Sequence, residues 1–163
     1  MKRNSGKLFL ALPFLLIVGA TLTASEKADF PPSHQASEIE TLVNKAADTL
    51  EERGRRAFEE FRKEGSTWRY GDVYLFVVDM QGVVLFHAAR PNREGRDLLD
   101  ERDAAGKRFH RDFIRVVKRF GSGWVDYMFP KPGQSVATVK WSYVCATRVD
   151  GVEALVGAGV YVD

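Results

Sequence analysis

From Val73 to His87 the chain carries two apolar runs, Val73–Val78 and Val83–Phe86, on either side of Asp79-Met80-Gln81-Gly82. Each run is too short for a typical helix and is rich in β-branched and aromatic residues, the composition of a strand. Gly82 accepts positive φ and Asp79 can bond to its own turn, so the break predicts a hairpin. Both runs are apolar on both faces. That places the hairpin centrally in a sheet, covered on at least one side. His87 is the first polar side chain after the run, where the chain leaves the sheet.

Upstream, Ile39, Leu42, Val43, Ala46, Ala47, Leu50, Ala57, Phe58 and Phe61 recur at helical spacing. Ser37 and Glu40 have capping-box spacing, which predicts a start near Ser37. Gly54 predicts a bend or break, and Gly65 an end. This amphipathic helix, residues 37–64, is longer than a small sheet needs, so it is either a packing helix or a stalk or dimerisation helix. Downstream, residues 88–102 are irregular and charged. A helix follows to Phe120 with Phe109, Phe113, Val116, Val117 and Phe120 as its apolar stripe. Three strands close the chain, Trp124–Phe129, Val136–Thr147 and Ala154–Val162, separated by Pro130-Lys131-Pro132-Gly133 and Asp150-Gly151. Such short connections make them antiparallel. The prediction is α+β: a long N-terminal helix and a five-stranded antiparallel sheet, with helices mostly on one face.

Residues 1–25 differ from the rest. Lys2, Arg3 and Lys7 precede the apolar run Leu8–Val18, and small residues follow to Ser25. This is the layout of a secretory signal peptide, cleaved after Ala20 or Ser25; uncleaved, it would be a membrane anchor. Residues 26–36 read as a linker, and 65–163 as the folded domain behind the helix. The leader changes the charge argument. It holds three of the 24 Lys+Arg and none of the 22 Asp+Glu, so residues 26–163 carry −1 and no basic stripe suited to nucleic acid. Cys145 has no partner for an internal disulfide, and its apolar strand makes it a buried small hydrophobe.

The candidate chemistry is binding rather than catalysis. His34, His87 and His110 stand at no metal-ligand spacing, and Asp97, Asp100 and Asp103 lack the pattern of a calcium loop. Cys145 and Ser142 have no recognisable catalytic partner, and Gly157-Ala158-Gly159 does not open a helix. Close packing over that strand explains its glycines. No metal, cofactor or enzymatic activity is therefore expected. Strand alternation sets Lys140, Ser142 and Val144 against Val139, Trp141, Tyr143 and Cys145, and sets Val125, Tyr127 and Phe129 against Trp124, Asp126 and Met128. A lysine in mid-strand needs exposure or an anionic partner. Aromatic walls with polar tips from His87, Tyr127, Tyr143 and Lys140 suit a small polar ligand.

The order of motifs resembles the extracytoplasmic single-Cache sensor domain (sCache_2-like). The pieces are Tyr74-Leu-Phe-Val-Val-Asp-Met-Gln-Gly82, Val84-Leu-Phe-His87, Gly95-Arg-Asp-Leu98, Asp103-Ala-Ala-Gly-Lys107, Gly123-Trp-Val-Asp-Tyr127, Pro130-Lys-Pro-Gly133, Lys140-Trp-Ser-Tyr-Val144 and Gly157-Ala-Gly-Val-Tyr161. The resemblance implies a PAS-like sheet and a pocket for small carboxylates or similar metabolites. His87, Tyr127, Lys140 and Tyr143 are its candidate ligand-binding residues, Lys140 pairing with the carboxylate. Trp124 and Trp141 are secondary candidates, since strand parity places them elsewhere in the core. The chain stops at Asp163, directly after the last strand, so the expectation is a stand-alone exported, periplasmic module without its own output part. Its partners would be a small ligand and a membrane receptor, sensor kinase or second copy. The alternative is a ligand-free interaction protein acting through the long helix.

Overall fold

The computed structural model describes residues 29–162. The predicted signal segment and its cleavage sites lie outside them. No helix among the described residues is long and apolar enough to cross a membrane.

The chain opens with α1, Ser33–Arg53. The helix starts four residues before the predicted Ser37. Pro32 ends the extended approach, its carbonyl accepting the first helical bond from the Ala36 N–H. Ser37 sits inside the first turns, where its carbonyl accepts the Thr41 hydroxyl at 2.8 Å. Glu40, the other half of the expected capping box, instead accepts the Trp124 indole N–H at 2.8 Å. The break at Gly54 is present: a 3₁₀ turn, Gly54–Ala57, leads to the short α2, Phe58–Arg62. Gly54 has φ +55°, and a Cβ there would lie 1.7 Å from Asp150 Oδ1. The β-turn tip at Asp150 thus docks onto the helix break.

The first apolar run divides. Val73–Tyr74 (β2) pairs with Arg69–Tyr70 (β1) in a two-stranded sheet, while Phe76–Asp79 (β3) enters the main sheet beside β4, Val84–His87. The turn forms as expected: Asp79 Oδ1 accepts the N–H groups of Gln81 and Val83, both at 2.9 Å. After α3, Phe109–Phe120, come β5 (Ser122–Pro130), β6 (Ala137–Val149) and β7 (Val152–Val162). The main sheet is antiparallel throughout, in the order β4-β3-β7-β6-β5.

Two expectations are corrected. The β3–β4 hairpin is not central, because β4 is an edge strand. It is apolar on both faces because both are covered, and the following segment also shields its edge: Gly95 and Arg96 exchange backbone bonds with Val84. The helices also do not share a face. The α1 stripe of Ile39, Val43, Ala46 and Leu50 packs on one side, and the α3 stripe of Phe109, Phe113 and Val117 on the other. The apolar stripe of α1 is thus committed to the chain's own core, and the helix presents its polar face to solvent.

Candidate functional site

The register places one row of side chains under α3. Counting outward from the Asp150-Gly151 turn, Lys140 pairs with Tyr161, and on the other side it pairs with Tyr127. Paired residues project to the same face. Glycines in β7 let large groups cross that strand. A Cβ at Gly157 would lie 2.4 Å from the Phe76 ring, and one at Gly159 would lie 2.4 Å from Ser142 Oγ. The close packing expected over Gly157 and Gly159 is present.

Lys140 is the unusual member of the row. It is 0% exposed, and its Nζ has no hydrogen-bond partner among the described residues. Four rings surround the Nζ, with centroids at 3.8 Å (Tyr74), 5.0 Å (Tyr161), 5.8 Å (Phe129) and 5.9 Å (Phe76). Burial pushes the amine well below its usual range; Asp72 pulls the other way, and the smaller effect of the Arg90 charge adds to that of burial. The neighbouring hydroxyls are ordered. Tyr161 donates to the Pro130 carbonyl at 2.9 Å, so Tyr74, 3.2 Å away, donates to the Tyr161 oxygen. Tyr127 exchanges a 3.1 Å bond with Ser142.

His87 adjoins this cage, its ring 5.1 Å from Tyr74 and 6.1 Å from Phe129. Its Nδ1 accepts the Arg90 N–H at 3.0 Å, which leaves the proton of the neutral ring on Nε2. Burial, and then the charges of Lys140, Arg93 and Arg90, hold His87 well below its ordinary value. His87, Tyr127, Phe76, Phe129, Phe109, Arg93 and His110 line a cavity of about 10 Å³ beneath α3, roughly the room of one water molecule. Arg93 grips Glu101 through both guanidinium nitrogens, and Glu101 also faces His110 at 3.3 Å. Arg90 reaches across to the Gln134 carbonyl at 2.9 Å and closes the outer side.

Of the candidate residues, the structure brings together His87, Tyr127 and Lys140. Tyr143 lies on the opposite face of β6, where it donates to Ser122 Oγ at 2.7 Å and packs against Trp124. This is the face that the alternation of β6 assigns it. Trp124 and Trp141 share that side, each meeting the Phe30 ring edge-on. Sequence reasoning passed over Tyr74, Tyr161, Arg90 and Arg93. Tyr161 was recoverable by counting from the Asp150-Gly151 turn. The arginines sit in an irregular segment that carries no periodic signal.

The site is a chamber of ring faces and donors with an excess of positive charge. Its residues include no cluster fit for a metal among those described. Residues 33–163 match the family described as Cache domain. The chain is 32% identical over 92 residues to the methyl-accepting chemotaxis protein McpP of Pseudomonas putida, a match covering 56% of this chain and 16% of that receptor's length. Among solved structures, a periplasmic sensor domain of a chemotaxis protein superposes with TM-score 0.67 at 32% identity, covering 80% of this chain and 96% of that one. A Cache chemosensory domain solved for carboxylic acid recognition superposes with TM-score 0.64 at 28% identity, covering 80% and 92%.

Proposed function

The chain belongs to the Cache domain family, and from that premise we propose that it is an extracytoplasmic sensor module that binds a small carboxylate through Lys140. The observation that carries this reading is the buried, unpartnered Lys140 amine in its ring of aromatic faces. A buried cation without a counter-charge is costly, and a carboxylate supplies the charge and the acceptors together. The rings of Phe76 and Phe129 receive the apolar end of the ligand. Tyr127 and the Nε2–H of His87 are the further donors. The relative solved for carboxylic acid recognition supports the same ligand class.

A ligand of four to six heavy atoms can contribute at most ~1.5 kcal/mol per atom, a ceiling of ~6–9 kcal/mol. That corresponds to dissociation constants from roughly tens of micromolar to somewhat below micromolar. With about 10 Å³ available, entry requires the covering segment after His87 to move. The occupied state would then pass to a membrane receptor, a kinase or a second copy, consistent with the chemotaxis relatives.

The experiment is a melting-temperature screen of the purified protein against small carboxylates, amino acids and amides. A ligand at 100 times its Kd adds ~2.7 kcal/mol of stability, a shift of several degrees. Stabilisation confined to carboxylates, with at least a tenfold affinity loss in Lys140→Ala, is the expected result. No shift from any carboxylate would remove the binding function.

A further inference from the structure

Lys140 is held where little offsets the desolvation of an ammonium. The groups facing it come from every neighbouring element. Tyr127 and Tyr161 flank it on β5 and β7, Tyr74 covers it from β2, and His87 stands at the end of β4. Arg90 and Arg93 follow from the covering segment. Burial keeps all three tyrosine hydroxyls protonated, and His87 is neutral. The Arg90 charge repels a further cation. Glu101 is engaged by Arg93 and His110. Asp72 favours the ammonium, but it is exposed and acts at a distance. The ring faces recover only part of the lost hydration.

Resting on the carboxylate reading above, we propose that the site takes up its ligand together with a proton, Lys140 passing from amine to ammonium as the anion arrives. The step balances without any further reactant: R–COO⁻, a solvent proton and the neutral amine give a carboxylate–ammonium pair. No covalent bond to the ligand forms. The protein then responds to the product of anion and proton concentrations, so in effect it detects the undissociated acid. An exported sensor built this way reports an acid more strongly when its surroundings are acidified.

Propionate is the probe, since its own carboxyl stays ionised above pH 7. Calorimetric titrations at pH 8 in phosphate and in Tris should differ in apparent heat by close to the difference between the two buffers' ionisation enthalpies, which is the signature of one proton taken up per ligand. The Kd should rise about tenfold per pH unit between pH 7 and pH 9, the linkage expected of one proton bound with the ligand. Carbon-13 NMR of the lysine Cε resonances reads the protonation directly: one lysine should be neutral at pH 8 without propionate and charged with it. A Kd constant from pH 7 to pH 9, or a Lys140 already charged without propionate, would overturn the proposal and leave the carboxylate site standing. Absence of binding by any small carboxylate would overturn both.

Discussion

Lys140 and Glu101 show how the same chamber treats two ionisable groups differently, one fully buried and one half-buried. Lys140 has rings and no counter-ion, so replacing it by an apolar chain of similar length removes a liability. Lys140→Met should melt at or above the wild-type temperature without ligand while losing carboxylate binding. A fall of more than about 5 °C would mean that the cage stabilises a charged lysine, since ~1 kcal/mol corresponds to roughly 2–8 °C in domains of this range. Glu101 is the opposite case. Burial raises its carboxyl, but hydrogen bonds from His110 and Arg93 prevail and hold it down to about 2. A carboxyl depressed in the folded state contributes stability that is complete above its unfolded value near 4.5 and is lost as pH falls toward 2. Glu101→Gln should therefore cost about 1–3 kcal/mol at pH 7. Relative to wild type, the loss should shrink steadily between pH 5 and pH 2 in urea titrations. An equal cost at pH 7 and pH 2 would contradict the role given to the Arg93–Glu101–His110 cluster.

At the scale of elements, the β6–β7 turn docks onto the α1 break through Asp150 and Gly54. Gly54→Ala should lower stability by about 1–3 kcal/mol, because positive φ strains a side chain and the Asp150 carboxylate occupies the space. Removing Asp150 in the double variant Gly54→Ala, Asp150→Ala should recover part of that loss; a strictly additive result would deny the contact. Gly65→Ala, also at positive φ but with open space around it, separates backbone strain from the clash. Much of this level was readable from the chain. The helical stripe from Ile39 to Phe61, the break at Gly54, the Asp79 turn and the three closing strands all appear. The positions of β4 at an edge and of α3 on the far face did not. Apolar periodicity reports burial, and a strand covered by helices on both sides and by a loop along its edge has the same pattern as a central one. Strand parity put Lys140 and Tyr143 on opposite faces, while the grouping of polar tips and the motif resemblance both placed the two in one pocket.

At the scale of the molecule, the chamber and the ends of the described chain share one end of the sheet. Phe30, just before α1, packs against Trp124 and Trp141, and Val162 pairs with Val139, the neighbour of Lys140. Tyr161, near the end of β7, contacts both Lys140 and Tyr74. Ligand capture should thus tighten the last strand and the segments that cover the cage. Hydrogen exchange should slow at residues 159–162, 72–76 and 88–93 on adding a bound carboxylate, with little change in the middle of α1. Protection spread evenly over the chain would indicate global stabilisation without a directed path.

The most direct test of the site is a paired titration of the wild-type protein with propionate and with propionamide, which have nearly the same shape and differ in charge. If Lys140 anchors a carboxylate, propionate binds with a micromolar dissociation constant and propionamide at least a hundredfold more weakly. Equal binding of the two would show that the chamber recognises shape, and that the buried lysine plays no part in choosing the ligand.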